Sequence, residues 1–131
     1  MGADRTTVLV VDDNADTRVV MRWMLERWGY QVVEASDGRE AYERAIEHRP
    51  DLVVMDLSMP VADGYEAIRA IRSREELARL PVIAVTAFDR AVARDGAEAA
   101  GFDHYLSKPI DFNRLEVLAE KLTKPGRHSG T

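Results

Sequence analysis

Leu52-Val53-Val54-Met55-Asp56 places four consecutive apolar residues, two of them β-branched, directly before a carboxylate. A strand with one wet face alternates apolar and polar residues, whereas a run this continuous belongs to a strand covered on both sides. Val8-Leu9-Val10-Val11 before Asp12-Asp13, and Val82-Ile83-Ala84-Val85 before Thr86, repeat the pattern. Two weaker runs, Gln31-Val32-Val33-Glu34-Ala35 and His104-Tyr105-Leu106, carry polar interruptions that suit the edges of a sheet.

Helical periodicity fills the intervals. Ala15 to Trp28 carries Val19, Val20, Trp23, Met24 and Leu25 at helical spacing, with Asn14 as N-cap and Gly29 at the stop. Trp23 and Trp28 read as core and helix-surface packing. Asp37-Gly38-Arg39-Glu40-Ala41 and Asp63-Gly64-Tyr65-Glu66-Ala67 share a start signal, an Asp that accepts from backbone amides and a Glu three residues on that reaches back. Further helices are predicted over about 90–100, ended by Gly101, and over about 111–122. Pro50, Pro60, Pro81 and Pro109 fall at strand boundaries, where a missing N–H does least harm. Five successive βα units predict an α/β fold, a doubly wound five-stranded parallel sheet with right-handed crossovers and helices on both faces.

Composition narrows the function. A length of 131 residues, 46% apolar and 31% charged, describes one globular domain with no room for a second. The net charge of -5 disfavours a nucleic-acid or anionic-membrane footprint. With no cysteine, disulfides, Cys-ligated zinc, iron–sulfur clusters and thiol nucleophiles are excluded. The N-terminus has no signal-peptide pattern and no apolar run approaches 18 residues, so a cytoplasmic location is expected.

In an open α/β sheet ligands bind beyond the carboxyl ends of the strands. The residues there are Asp12, Asp13, Asp56, Thr86 and Lys108. Any one Asp after a strand reads as a turn or a helix cap. Five such placements at one sheet end, drawn from both ends of the chain, read as a site. Three carboxylates within ~5 Å of one another repel by roughly 3 kcal/mol per pair at an effective dielectric near 20, so a cation belongs among them. Oxygen ligands without His or Cys favour Mg²⁺, which keeps waters free for exchange with phosphate oxygens. A carboxylate beside Mg²⁺ can attack phosphorus to give an aspartyl-phosphate while a Lys and a hydroxyl bind the equatorial oxygens. Asp56 is the expected nucleophile. The chain has 15 Arg and only three Lys, which favours Lys108 as a chosen ammonium.

Asp12-Asp13, Asp56 within Val53-Val54-Met55-Asp56-Leu57-Ser58-Met59-Pro60, Asp63-Gly64, Thr86-Ala87 and Tyr105-Leu106-Ser107-Lys108-Pro109 together resemble the receiver domain of two-component response regulators. The likeness covers residues 6–123 and leaves 124–131 as a polar tail. It implies the flavodoxin-like strand order 2-1-3-4-5. It further implies that Asp56 is the phosphoacceptor, that Asp12, Asp13 and Asp56 hold Mg²⁺ with the Ser58 carbonyl, that Lys108 contacts the phosphoryl group, and that Thr86 is the switch hydroxyl. Tyr105 is then the aromatic switch, Ser58 and Phe88 tune phosphoryl lifetime, and the Lys108–Pro109 peptide is cis. The implied partners are a histidine kinase or histidine phosphotransfer protein upstream. Downstream, an effector would read the face formed by the fourth helix, fifth strand and fifth helix. The resemblance implies a receiver, either stand-alone or a module of a longer protein, acting as a switch and not as an enzyme beyond its own slow phosphoryl chemistry.

Two other classes compete. A Mg²⁺-dependent aspartyl-phosphate phosphatase of the haloacid-dehalogenase type places Asp-x-Asp after the first strand and carries a cap, whereas Asp12-Asp13-Asn14-Ala15 breaks that spacing. A receiver that docks a partner without being phosphorylated is the other. His48, His104 and His128 share no metal spacing. Gly96 and Gly101 match half of a P-loop, but Phe102-Asp103 follow where Lys and Ser/Thr are required.

Overall fold

The computed structural model describes residues 6–57, 61–86 and 101–123, with the side chains of 61–63 excepted. Its elements run β1 (Thr7–Val11), α1 (Ala15–Arg27), β2 (Gln31–Ala35), α2 (Gly38–His48), β3 (Leu52–Asp56), α3 (Val61–Ser73), a 3-10 turn (Glu75–Leu77), β4 (Val82–Thr86), β5 (His104–Ser107) and α4 (Phe112–Thr123). The strands form one parallel sheet in the order β2-β1-β3-β4-β5. The helix expected over 90–100, the tail at 124–131, and Pro60, Ser58 and Phe88 lie outside the described residues.

The continuous apolar runs are buried on both sides because alternate residues serve two separate cores. Leu9, Val11, Val53, Met55 and Ala84 pack with Ala41 and Ala45 of α2 and Ala67, Ile68 and Ile71 of α3. Val8, Val10, Leu52, Val54, Ile83 and Val85 face the opposite way, onto Met21 and Leu25 of α1 and Leu115, Leu118 and Ala119 of α4. Every residue of β3 and β4 is buried, the pattern their composition predicts.

Three helix starts follow from local chemistry. Asn14 Oδ1 accepts from the amides of Asp16 at 2.8 Å and Thr17 at 3.1 Å, and Gly29 takes a φ of +100° after the helix ends. Asp37 Oδ1 accepts from Glu40 N at 2.8 Å while Glu40 Oε1 accepts from Ser36 N at 2.7 Å, a capping box closed one residue further back than the N-cap. Asp111 Oδ1 accepts from the amides of Asn113 and Arg114.

Asp63 departs from expectation. α3 begins at Val61, so Asp63 lies inside the first turn and does not cap it. The Asp-x-x-Glu spacing is degenerate, since within a helix it is an ordinary i,i+3 neighbour pair. Gly64 has a packing reason instead: a Cβ there would stand 2.8 Å from Leu57 Cδ2, so its absence lets α3 close on the end of β3.

α1 also differs from its reading. Met21 and Leu25 enter the core, but Val19, Val20 and Trp23 are 61%, 48% and 57% exposed. The Trp23 ring carries the Arg27 guanidinium 4.8 Å from its centroid, while Trp28 is the indole packed against a core. Of Val19, Val20, Trp23, Met24 and Leu25, which helical spacing sets on one helix, only Leu25 is fully buried, with Met21 beside it.

Arg72, near the end of α3, ties together the two segments that precede β4 and β5. Its guanidinium donates to the carbonyls of Gly101 at 2.9 Å and Leu80 at 2.6 Å, and meets Asp103 Oδ2 at 2.9 Å. Asp103 Oδ2 in turn accepts from Val82 N at 2.8 Å. Replacing Arg72 with Met, which keeps the stem and deletes the donors, is expected to lower unfolding free energy by about 2 kcal/mol in urea titration. A change under ~0.5 kcal/mol would show that water replaces these bonds without loss.

Candidate functional site

The parallel register brings β1 and β3 to the same end of the sheet, with Val11 opposite Met55, so Asp12 and Asp56 emerge side by side. Each is only 4% exposed, although both are carboxylates. Asp13 is exposed, and one carboxylate oxygen from each of Asp12, Asp13 and Asp56 lies within 4.8 Å of the others. The floor under the acids is apolar, formed by Val10, Val54 and Val85.

β5 supplies the positive group. Lys108 Nζ stands 2.9 Å from Asp56 Oδ2, with its side chain 31% exposed. The Lys108 amide donates to the Thr86 carbonyl at 2.9 Å, and the Leu57 amide to the Val85 carbonyl at 2.7 Å, so the ends of β3, β4 and β5 are laced at main-chain level. The Lys108–Pro109 peptide is cis. Thr86 is buried at 1% exposure. Tyr105 lies one strand over, opposite Ala84, half-buried against the core that holds α2 and α3. Asp12, Asp13, Asp56, Thr86 and Lys108 therefore share one sheet end, as the sequence predicts.

Burial dominates the ionisation of Asp12. It pushes the carboxyl up to about 6 from 3.8, against the Asn14 amide that donates to Oδ1 at 2.8 Å, and with the neighbouring Asp56 adding to the rise. Lys108 offsets part of this. Among the described residues three carboxylates share the pocket with the Lys108 ammonium, and hard oxygen donors with an exposed member suit a partly hydrated Mg²⁺. The donor set fits that ion.

One contact has no counterpart in the sequence reading. Arg18 Nη1 donates to the Asp12 carbonyl at 2.7 Å. A charged residue on a helix reads as solvated surface, and a carbonyl partner leaves no mark in a residue pattern. The only available signal was its place one turn into the helix that follows the acid pair.

Comparison with known proteins agrees with this geometry. The family model for the response regulator receiver domain matches residues 8–120. The polar-differentiation response regulator DivK of Brucella anthropi is 37% identical over 109 residues, 83% of this chain and 89% of that protein. The chemotaxis protein CheY4 of Vibrio cholerae superposes with a TM-score of 0.83 at 30% identity, covering 90% of this chain and 98% of that one. The receiver domain of the sensor histidine kinase PA1611 from Pseudomonas aeruginosa, with a magnesium ion coordinated in its active-site cleft, gives a TM-score of 0.83 at 35% identity over 91% of this chain and 98% of that one.

A carboxyl whose pKa is higher folded than unfolded stabilises the fold in its protonated form; that contribution is complete below about 3.8 and lost as pH rises through about 6. At about 1.4 kcal/mol per tenfold, the penalty at neutral pH is roughly 2–3 kcal/mol. Asp12→Asn, whose amide oxygen can still accept from Asn14, is expected to stabilise the metal-free protein by about 1–2 kcal/mol at pH 7.5 and to give no gain at pH 4. Denaturant titrations at the two pH values check this, and a gain independent of pH would contradict it.

Proposed function

The chain belongs to the response regulator receiver domain family of two-component signalling, and we propose that it works by accepting a phosphoryl group on Asp56. The observation that carries this reading is the buried Asp56 carboxylate held between Asp12 and Lys108 at the carboxyl ends of parallel strands. Residues 6–123 are read as the receiver and 124–131 as its tail.

The donor is a phosphohistidine of a histidine kinase or a histidine phosphotransfer protein. As an Asp56 oxygen bonds to phosphorus, the phosphorus–nitrogen bond breaks and its electron pair returns to the imidazole, which takes up a proton. Asp12, Asp13 and Asp56, with the Ser58 carbonyl, are the residues that would hold Mg²⁺. Mg²⁺ supplies positive charge to the phosphoryl oxygens when bound. Lys108, already paired with Asp56, turns its ammonium to the incoming oxygens as the carboxylate charge passes to them.

The response is a population shift. Thr86, at the end of β4, is the hydroxyl that meets the phosphoryl group, and Tyr105 is the aromatic side chain that follows it inward. Phe88 and Ser58, outside the described residues, are the positions that tune the lifetime of the acyl phosphate. A downstream effector reads the face made by the segment near 90–100, β5 and α4. The net charge of -5 argues against nucleic acid or an anionic membrane as a direct partner. The protein acts in the cytoplasm.

Acetyl phosphate with Mg²⁺ is expected to add one phosphoryl group to the wild type by intact-mass analysis, none to Asp56→Asn, and none when EDTA replaces Mg²⁺. Lys108→Ala is expected to slow labelling by about 100-fold, the scale of losing one charge-stabilising donor. Equal labelling of wild type and Asp56→Asn would overturn the assignment, and sustained turnover of small phosphomonoesters would point to the phosphatase class instead.

A further inference from the structure

Asp12 is anchored at three polar atoms. Its amide donates to the Ala35 carbonyl at 3.1 Å, its Oδ1 accepts from Asn14 N at 2.8 Å, and its carbonyl accepts from Arg18 Nη1 at 2.7 Å. The third anchor orients the peptide plane between Asp12 and Asp13. Rotation of that plane would swing the Cβ of Asp13, the exposed member of the acid cluster.

Arg18 is itself held. Its Nε meets Glu34 Oε1 at 3.0 Å, and Glu34 Oε2 meets Arg22 Nη1 at 2.8 Å. Glu34 reaches Arg18 because the β1–β2 register sets it opposite Val10, two residues before Asp12. Burial pushes the Glu34 carboxyl up, but Arg22 and Arg18 outweigh it and keep the group below its usual range. The Arg18 side chain is 18% exposed, so the link is partly shielded from water. The guanidinium fork suits the task, since Nε and Nη1 serve two acceptors at once and an ammonium would serve them poorly.

We propose that Arg18, braced by Glu34 on the edge strand, is a positioning residue that aims the Asp12–Asp13 peptide and so presets the Mg²⁺ ligands before the ion arrives. The role rests on the reading of the acid pocket as a Mg²⁺ and phosphoryl site. It gives β2, which contributes no residue to the pocket, a part in the chemistry.

Calorimetric titration of Mg²⁺ into the unphosphorylated full chain tests this. Arg18→Gln is expected to weaken Mg²⁺ binding by about tenfold, the low end of what an outer-shell partner contributes. Arg18→Lys and Glu34→Gln should each weaken it by about threefold, and Arg74→Gln, paired with Glu76 in the turn that precedes β4 at the opposite end of the sheet, should leave it unchanged. At saturating Mg²⁺ the labelling of Asp56 by acetyl phosphate should return to within about twofold of wild type, because neither Asp56 nor Lys108 is touched. Should Arg18→Gln fail to fold by circular dichroism, Arg18→Lys and Glu34→Gln carry the test. Wild-type Mg²⁺ affinity in these variants, or labelling that stays slow at saturation, overturns the positioning role alone. A wild type that binds no Mg²⁺ overturns both this role and the reading of the pocket.

Discussion

Two carboxylates, Asp12 and Asp56, are buried side by side, and the rest of the structure is arranged around tolerating them. Like charges in a dry floor are unfavourable, and the shift of Asp12 to about 6 registers that cost. Among the described residues the Lys108 ammonium, just past β5, and a helix-start amide from Asn14 offset it. A protein selected only for stability would place hydrophobic residues there. Retaining the acids is the signature of a pocket whose function is worth its instability.

Much of this was legible in the residues. β3 and β4 announce themselves because a strand buried on both faces cannot alternate, and the acids that follow β1 and β3 mark the functional end. Asn14 and Asp37 cap as their chemistry predicts. The parallel register then does what no single motif can, converting residues far apart in sequence into neighbours.

What stayed hidden has physical reasons. Asp63 was indistinguishable from Asp37 by pattern, and what separates the two is that α3 begins at Val61, two residues before Asp63, while α2 begins just after Asp37. Val19, Val20 and Trp23 have the periodicity of a core face, yet α1 needs only Met21 and Leu25 to cover the sheet. The Glu75–Leu77 turn is too short to show a period. Arg18 and Arg72 were invisible for a common reason: both serve backbone carbonyls, and every residue has one of those.

The hydrogen bond from the Lys108 amide to the Thr86 carbonyl makes the ends of β4 and β5 a caliper with locked jaws. Both residues leave adjacent strand ends whose main-chain separation is set by the ladder, so the span between hydroxyl and ammonium changes only through side-chain torsions. Under the proposed phosphoryl-accepting role, the hydroxyl and ammonium would answer by discrete rotations read against a rigid scale, with the sheet as the fixed frame of measurement.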